Sequence, residues 1–126
     1  MNGLVVFIGG GFGALVRYLL CLFLPKISYF SLGTLVANFF GCFFATVVFV
    51  YFVDKINPDS VYKTFLITGF CGGLSTLSAL SLELMEMLQH GECLRAFAYA
   101  IITVVICTLS VLLGLVLVKH SIGIKL

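Results

Sequence analysis

The stretch GFCGGLSTLSALSLE, residues 69–83, sets three glycines, four hydroxyl side chains and a carboxylate inside an otherwise apolar segment. Buried polar groups cost free energy unless they are paired. Either these groups satisfy one another and the backbone, or a polar species passes beside them. Gly69, Gly72 and Gly73 lie close enough together to loosen or break a helix. Non-helical backbone at membrane depth survives only where it is buried in protein or lines a cavity. Carbonyls released by such a break are a usual means of coordinating a small cation. Beyond the glycines, Ser75, Ser78 and Ser81 recur every third residue, a drifting hydroxyl stripe on one helical face, and Glu83 and Glu86 follow. Such a stripe can line a path, or it can bond back to its own helix and be inert.

Two further residues are costly where they stand. Asn38 is an amide in a Phe-rich segment, with donors and an acceptor to satisfy, and Thr34 lies one turn before it. It serves either as glue between helices or as the lining of a hydrated path. Arg17 lies inside the first apolar segment, where an arginine costs roughly 2.5–3.5 kcal/mol. It snorkels to an interface, or it holds a buried structural or anion-facing place.

The elements that must position these residues are membrane spans. Of 126 residues, 62% are hydrophobic and 10% charged, with mean hydropathy +1.25. A soluble domain carries about a quarter charged residues, so this chain lacks the polar surface to coat a globule in water. A span needs about 20 mostly apolar residues. Four segments qualify: Leu4–Leu24, Leu32–Val53, Val61–Leu88 and Leu94–Val118, with the loop DKINPDS after the second. The first has no basic flank and no small-residue cleavage site, and it reads as a retained span. The expected fold is all-α, one four-span domain over residues 1–126 with a broken third helix. In the second span Gly33, Ala37, Gly41 and Ala45 form a small-residue ladder; in the first, Gly9 pairs with Gly13 and Gly10 with Ala14. Such faces let backbones approach closely.

An even number of spans puts both termini on one side, with Lys55, Lys63, Lys119 and Lys125; Lys26 and Arg95 fall on the other. This bias is small enough to permit insertion in both orientations. The five cysteines are scattered without metal or disulfide spacing and read as small apolar packing residues. A net charge of +2 points away from nucleic acid. No nucleophile–base spacing supports an enzyme.

Three segments and the four-span layout resemble the small fluoride channels of the Fluc/CrcB type: GGGFGALVRY at 9–18, GTLVANFFG at 33–41 and GFCGGLSTLSALSLE at 69–83. That resemblance implies an antiparallel, dual-topology dimer in the bilayer of the bacterial inner membrane, a homodimer or a heterodimer with a related subunit. It implies two fluoride pathways that export the ion passively. It places Asn38 in the pore with Thr34 nearby, continues the polar track through Ser78 and Ser81 to Glu83 and Tyr99, and puts Arg17 at the vestibule. It also implies a structural Na+ at the dimer centre, held by the backbone carbonyls of Gly72 and Ser75. One departure stands out. The family's TTFSTF reads STLSAL at 75–80 here, so leucines Leu77 and Leu80 replace the pore phenylalanines. An aromatic edge is electropositive and can face an anion, whereas leucine has no such quadrupole. Either leucines line a working pore, or the chain is one half of a heteromeric channel. A small multidrug exporter is disfavoured: those exporters resemble one another in a first-helix glutamate, where this chain carries Arg17.

Overall fold

The structure, a computed structural model, describes residues 2–53 and 60–122. Most of the DKINPDS loop, together with Lys55 and Lys125, lies outside the described residues. Helix α1 spans Asn2–Phe23 and ends before Pro25, which cannot continue a helix. A short antiparallel hairpin follows, β1 Lys26–Ile27 and β2 Phe30–Ser31, turning through Ser28 at φ 58°. This hairpin is an addition to the expected all-α fold. Helix α2 covers Leu32–Val53. The third span is composite: α3 Val61–Lys63, a π-helical stretch Thr64–Cys71, α4 Gly72–Leu74 and α5 Leu77–Gln89. Between α4 and α5, Ser75 (φ −74°, ψ 148°) and Thr76 (φ −150°, ψ 116°) are extended. Helix α6 runs from Cys93 to Ile122. Among the described residues, four helices are thus long and apolar enough to cross a membrane.

Small residues decide how the spans meet. Helix α1 lies against the π-helical stretch and α4 along its glycine face: a Cβ on Gly13 would overlap the Phe70 carbonyl oxygen and sit 2.8 Å from the Leu74 nitrogen. Gly73 reciprocates, since its Cβ would overlap the Gly10 carbonyl oxygen. On the α2 ladder, Gly33 faces the backbone of Cys21, Ala37 is fully buried and Gly41 faces Ser75. Helix α6 closes the other side of α2, where the Ser110 hydroxyl donates to the Phe39 carbonyl at 2.7 Å.

This contact pattern predicts opposite outcomes for two neighbouring glycines. Gly13→Ala meets backbone, which cannot swing aside, and is expected to lose at least about 2 kcal/mol of stability by overpacking. Gly11 has nothing within 4 Å of its would-be Cβ. Gly11→Ala is therefore expected to gain up to about 1 kcal/mol from helix propensity. Thermal unfolding of the two variants in detergent checks both signs.

The hairpin is pinned across the end of α5. Tyr29 stacks on His90 with ring centroids 4.3 Å apart, and Lys26 Nζ lies 3.2 Å from Glu86 Oε2. Lys26 and Glu86 therefore share one end of the bundle, and Lys63, over the Phe49 ring, marks the other.

Candidate functional site

Thr76 organises the site. In a continuous helix its N–H would point to the Gly72 carbonyl. Extended instead, it donates to Asn38 Oδ1 at 2.6 Å, while Asn38 Nδ2 donates to the Thr76 carbonyl at 3.2 Å. The amide side chain of α2 thus pairs with one peptide unit of the third span, as a neighbouring strand would. The Thr76 side chain then caps α5 by accepting from the Ala79 N–H at 3.2 Å, a donor that the Ser75 carbonyl would otherwise take. Both carbonyls, Gly72 and Ser75, are thereby released from their i→i+4 partners. Gly72 is exposed, with only the Ile67 carbonyl near its would-be Cβ. Two released neutral oxygens, one of them on an exposed residue, are the donor type that suits a small hard cation. The Gly73 carbonyl is taken by Arg17, whose Nε donates at 3.2 Å. Arg17 is therefore tied into the protein and bridges α1 to α4.

Beside the Asn38–Thr76 pair lies a cavity of about 300 Å³. Asn38, Ser75, Thr76, Leu77 and Leu80 line one wall, and Thr103, Val104, Cys107 and Thr108 of α6 line the other. Leu77 stands at the lip, 76% exposed, whereas Leu80 is buried and also packs with Met87, Ala96 and Tyr99. The two leucines thus occupy different environments.

A second polar cluster sits one turn along α2. Glu83 is buried and receives three donors: Thr34 Oγ1 at 2.5 Å on Oε1, Tyr99 Oη at 2.7 Å on Oε2, and the Ser31 N–H at 3.4 Å on Oε2. Phe30 meets Tyr99 edge-on, centroids 4.7 Å apart. Leu80 reaches the cavity on one side and Tyr99 on the other, so it stands between the two clusters.

The hydroxyl stripe divides. Ser75 is not on the α5 face at all: it is extended, and its hydroxyl donates back to the Cys71 carbonyl. Ser78 shares a hydrogen bond with the Thr76 hydroxyl at 3.2 Å, next to the cavity. Ser81 is exposed and donates to the Leu77 carbonyl of its own helix. It stands apart from both clusters, its hydroxyl satisfied by its own helix turn.

The sequence profile of the family described as CrcB-like protein, Camphor Resistance (CrcB), matches residues 4–115. The chain belongs to the CrcB family. Its relatives include the fluoride-specific ion channel FluC of a Nitratiruptor species, 39% identical over 128 residues and 98% of each chain. Another is the FluC of a Hydrogenobaculum species, 43% identical over 115 residues, 90% of this chain and 94% of the relative. The FluC of Escherichia coli is 43% identical over 102 residues, 80% of this chain and 77% of its own. Those names describe channels, not enzymes. With four helices of spanning length, this CrcB chain is a multi-pass membrane protein.

Two parts of the candidate site are absent from the sequence reading. Thr76 stands among serines of the same polarity, and its distinctive trait, an extended backbone, has no residue signature. The α6 wall comes from the most apolar of the four spans. There Thr103 and Thr108 donate to the carbonyls of Tyr99 and Val104 on their own helix.

Proposed function

We propose that this chain is the subunit of a passive, fluoride-selective channel that lets cytoplasmic fluoride out across the bacterial inner membrane and so limits its toxicity. Two copies would assemble antiparallel, inserted in opposite orientations. The observation that carries the reading is the cavity beside Asn38: an amide and hydroxyls gathered on an otherwise apolar wall within the membrane. A small, strongly hydrated anion loses water only where donors replace it, and a narrow apolar wall excludes larger ions that such donors cannot compensate. Asn38 keeps one N–H beyond its bond to Thr76, and Ser78 and Thr76 hydroxyls adjoin it. Glu83, Thr34 and Tyr99 would extend the track toward the hairpin end. The extended pair Ser75–Thr76 is read as the broken third helix of the family. The carbonyls of Gly72 and Ser75 would hold a Na+ between two copies, fixing the two breaks against each other and adding positive field beside the path.

The test is efflux. Purified protein in fluoride-loaded liposomes should release fluoride down its gradient while chloride stays inside. Retention of both ions would overturn the channel reading.

A second reading is favoured by Leu77 and Leu80, which supply no aromatic edge to an anion. Here the chain is a non-conducting or half-pore subunit, and a related subunit completes the path. Efflux appearing only on co-reconstitution with a homologous subunit would establish this version.

A further inference from the structure

A second cavity, of about 400 Å³, lies beneath the hairpin. Ile27 and Phe30 of the hairpin line it, with Met87 of α5 and Arg95, Tyr99 and Ile102 of α6. It continues the groove that holds the cavity beside Asn38. On α6, Tyr99, Thr103 and Cys107 fall four residues apart and so on one face. Tyr99 lines the second cavity, Thr103 and Cys107 the first. On α5, Leu80 lines the first, and Met87, two turns on, lines the second. The packed layer of Leu80, Met87, Ala96 and Tyr99 stands between them, and Phe30 packs against that layer from the hairpin. The far rim carries Arg95, paired with Glu92 at 3.0 Å and with its side chain 72% exposed. A charged rim of this kind marks the interfacial end of the groove.

The polar donors at this level are spent. The Thr34 hydroxyl, the Tyr99 hydroxyl and the Ser31 N–H all donate to Glu83, and the Ser31 hydroxyl donates to the Cys21 thiol. An anion crossing the layer therefore finds none of these O–H or N–H groups free. What the layer presents instead is two rings, Phe30 and Tyr99, at 87° to each other with centroids 4.7 Å apart. An aromatic ring is positive around its edge, whereas Leu80 and Met87 have no such quadrupole. Among the described residues lining the two cavities, Phe30 and Tyr99 are the aromatic ones. The Phe30 ring is also held in place. Its neighbour Ser31 is bonded to Glu83, and the hairpin is clamped by the Tyr29–His90 stack and the Lys26–Glu86 pair.

We propose that Phe30, carried by the hairpin rather than by a spanning helix, is a specificity-determining residue of the fluoride path. Its ring edge stands in for water as the ion crosses from the cavity beside Asn38 to the cavity beneath the hairpin. The role rests on the channel reading above. It draws on no hydroxyl, so the hydrogen bonds to Glu83 stay intact while the ion passes. Tyr99 is committed to Glu83 through its hydroxyl. Phe30 is thus the ring whose charge pattern can be changed without dismantling that corner.

The experiment measures fluoride efflux from liposomes for the unaltered chain and for Phe30→Leu, Phe30→Tyr and Phe30→cyclohexylalanine. Each rate is taken per monodisperse protein on size exclusion. Cyclohexylalanine keeps the bulk and apolarity of the ring and removes its edge charge. If the unaltered chain conducts only beside a homologous subunit, that subunit accompanies every variant. Phe30→Leu and Phe30→cyclohexylalanine should each lose at least about 10-fold in efflux, a decade corresponding to about 1.4 kcal/mol. Phe30→Tyr, which returns the edge, should recover most of that loss. Full efflux with cyclohexylalanine would show that bulk alone suffices and would overturn the role. So would full efflux in Phe30→Leu, or a loss in Phe30→Tyr as large as in Phe30→Leu. Each of these results leaves the channel reading standing, because the unaltered chain conducts. No efflux from the unaltered chain, alone or with a homologous subunit, would overturn the channel reading and the role of Phe30 with it.

Discussion

Asn38→Asp is expected to abolish fluoride efflux while the protein stays folded. The substitution is nearly isosteric, and the carboxylate still accepts from the Thr76 N–H, now with charge assistance. What it loses is the Nδ2 donor, so an anionic oxygen comes to face the Thr76 carbonyl across the former 3.2 Å hydrogen bond. The structural loss is about 1 kcal/mol for one hydrogen bond, plus some repulsion. The cost to a passing anion is far larger. Two like charges about 4 Å apart repel by about 4 kcal/mol at an effective dielectric near 20. That is roughly three decades of rate. Efflux from liposomes, measured beside the size-exclusion profile, separates the two effects. Wild-type flux in the variant would remove Asn38 from the path. Asn38→Ala is the contrasting variant: it leaves a buried N–H and a buried carbonyl unpaired, at about 1–3 kcal/mol each, so it should damage the fold as well.

The same pair of residues shows where sequence reasoning reaches and where it stops. Asn38 was legible because an amide among phenylalanines is costly wherever it points. Its partner was not, because Thr76 acts through its backbone, and extended φ and ψ at one threonine leave no trace in composition. The spans were legible to within a few residues at each end, since length and hydropathy fix them physically. The π-helical stretch Thr64–Cys71 was not: its wider turn follows from how the third span settles on the glycines of α1, a tertiary effect. The small-residue ladders were legible because close backbone approach demands them. Which helix each ladder would face had to come from the fold. Hydroxyls were the hardest to read. Ser81 and Ser75 bond to their own helix turns, Ser110 ties α6 to α2, and Ser78 meets Thr76; one residue type serves three purposes. The hairpin at 26–31 was missed for a different reason. Two-residue strands carry no periodicity, and it is tertiary contacts, with Glu83, Glu86, His90 and Tyr99, that give the segment a fixed place.

The separate settings of Leu77 and Leu80 sharpen the choice between a complete channel and a half-pore. Leu77, at the lip, presents its side chain to whatever adjoins the protomer there, whereas Leu80 is enclosed within this chain. A missing aromatic edge at Leu77 can be made good by a second subunit. At Leu80, 6 % exposed and packed against Met87, Ala96 and Tyr99, the chain itself leaves little room for such a replacement. On the proposed channel reading, Leu80 is thus the position at which this chain's own packing would set the character of the path.

Glu83→Gln is expected to destabilise the chain by about 2–4 kcal/mol, although it changes a single atom. A carboxylate is acceptor-only, and every contact it makes here is a donor: the Thr34 hydroxyl, the Tyr99 hydroxyl and the Ser31 N–H. Glutamine keeps one acceptor oxygen and replaces the other with an NH2 group. If that group takes the place of Oε2, it confronts the Tyr99 hydroxyl and a backbone N–H that cannot rotate away. If it takes the place of Oε1, the Thr34 hydroxyl must reverse and give up its bond. Either way at least one charge-assisted hydrogen bond, worth about 1.5–3 kcal/mol, is lost, and the rest weaken to neutral ones. Because these bonds join α2, the hairpin, α5 and α6, the loss should appear as reduced cooperativity as well as reduced stability. Unfolding in mixed micelles measures both. Tyr99→Phe removes one donor but leaves the carboxylate with two, so it should cost less than Glu83→Gln. The reverse order would show that Tyr99, not the carboxylate, holds this corner together.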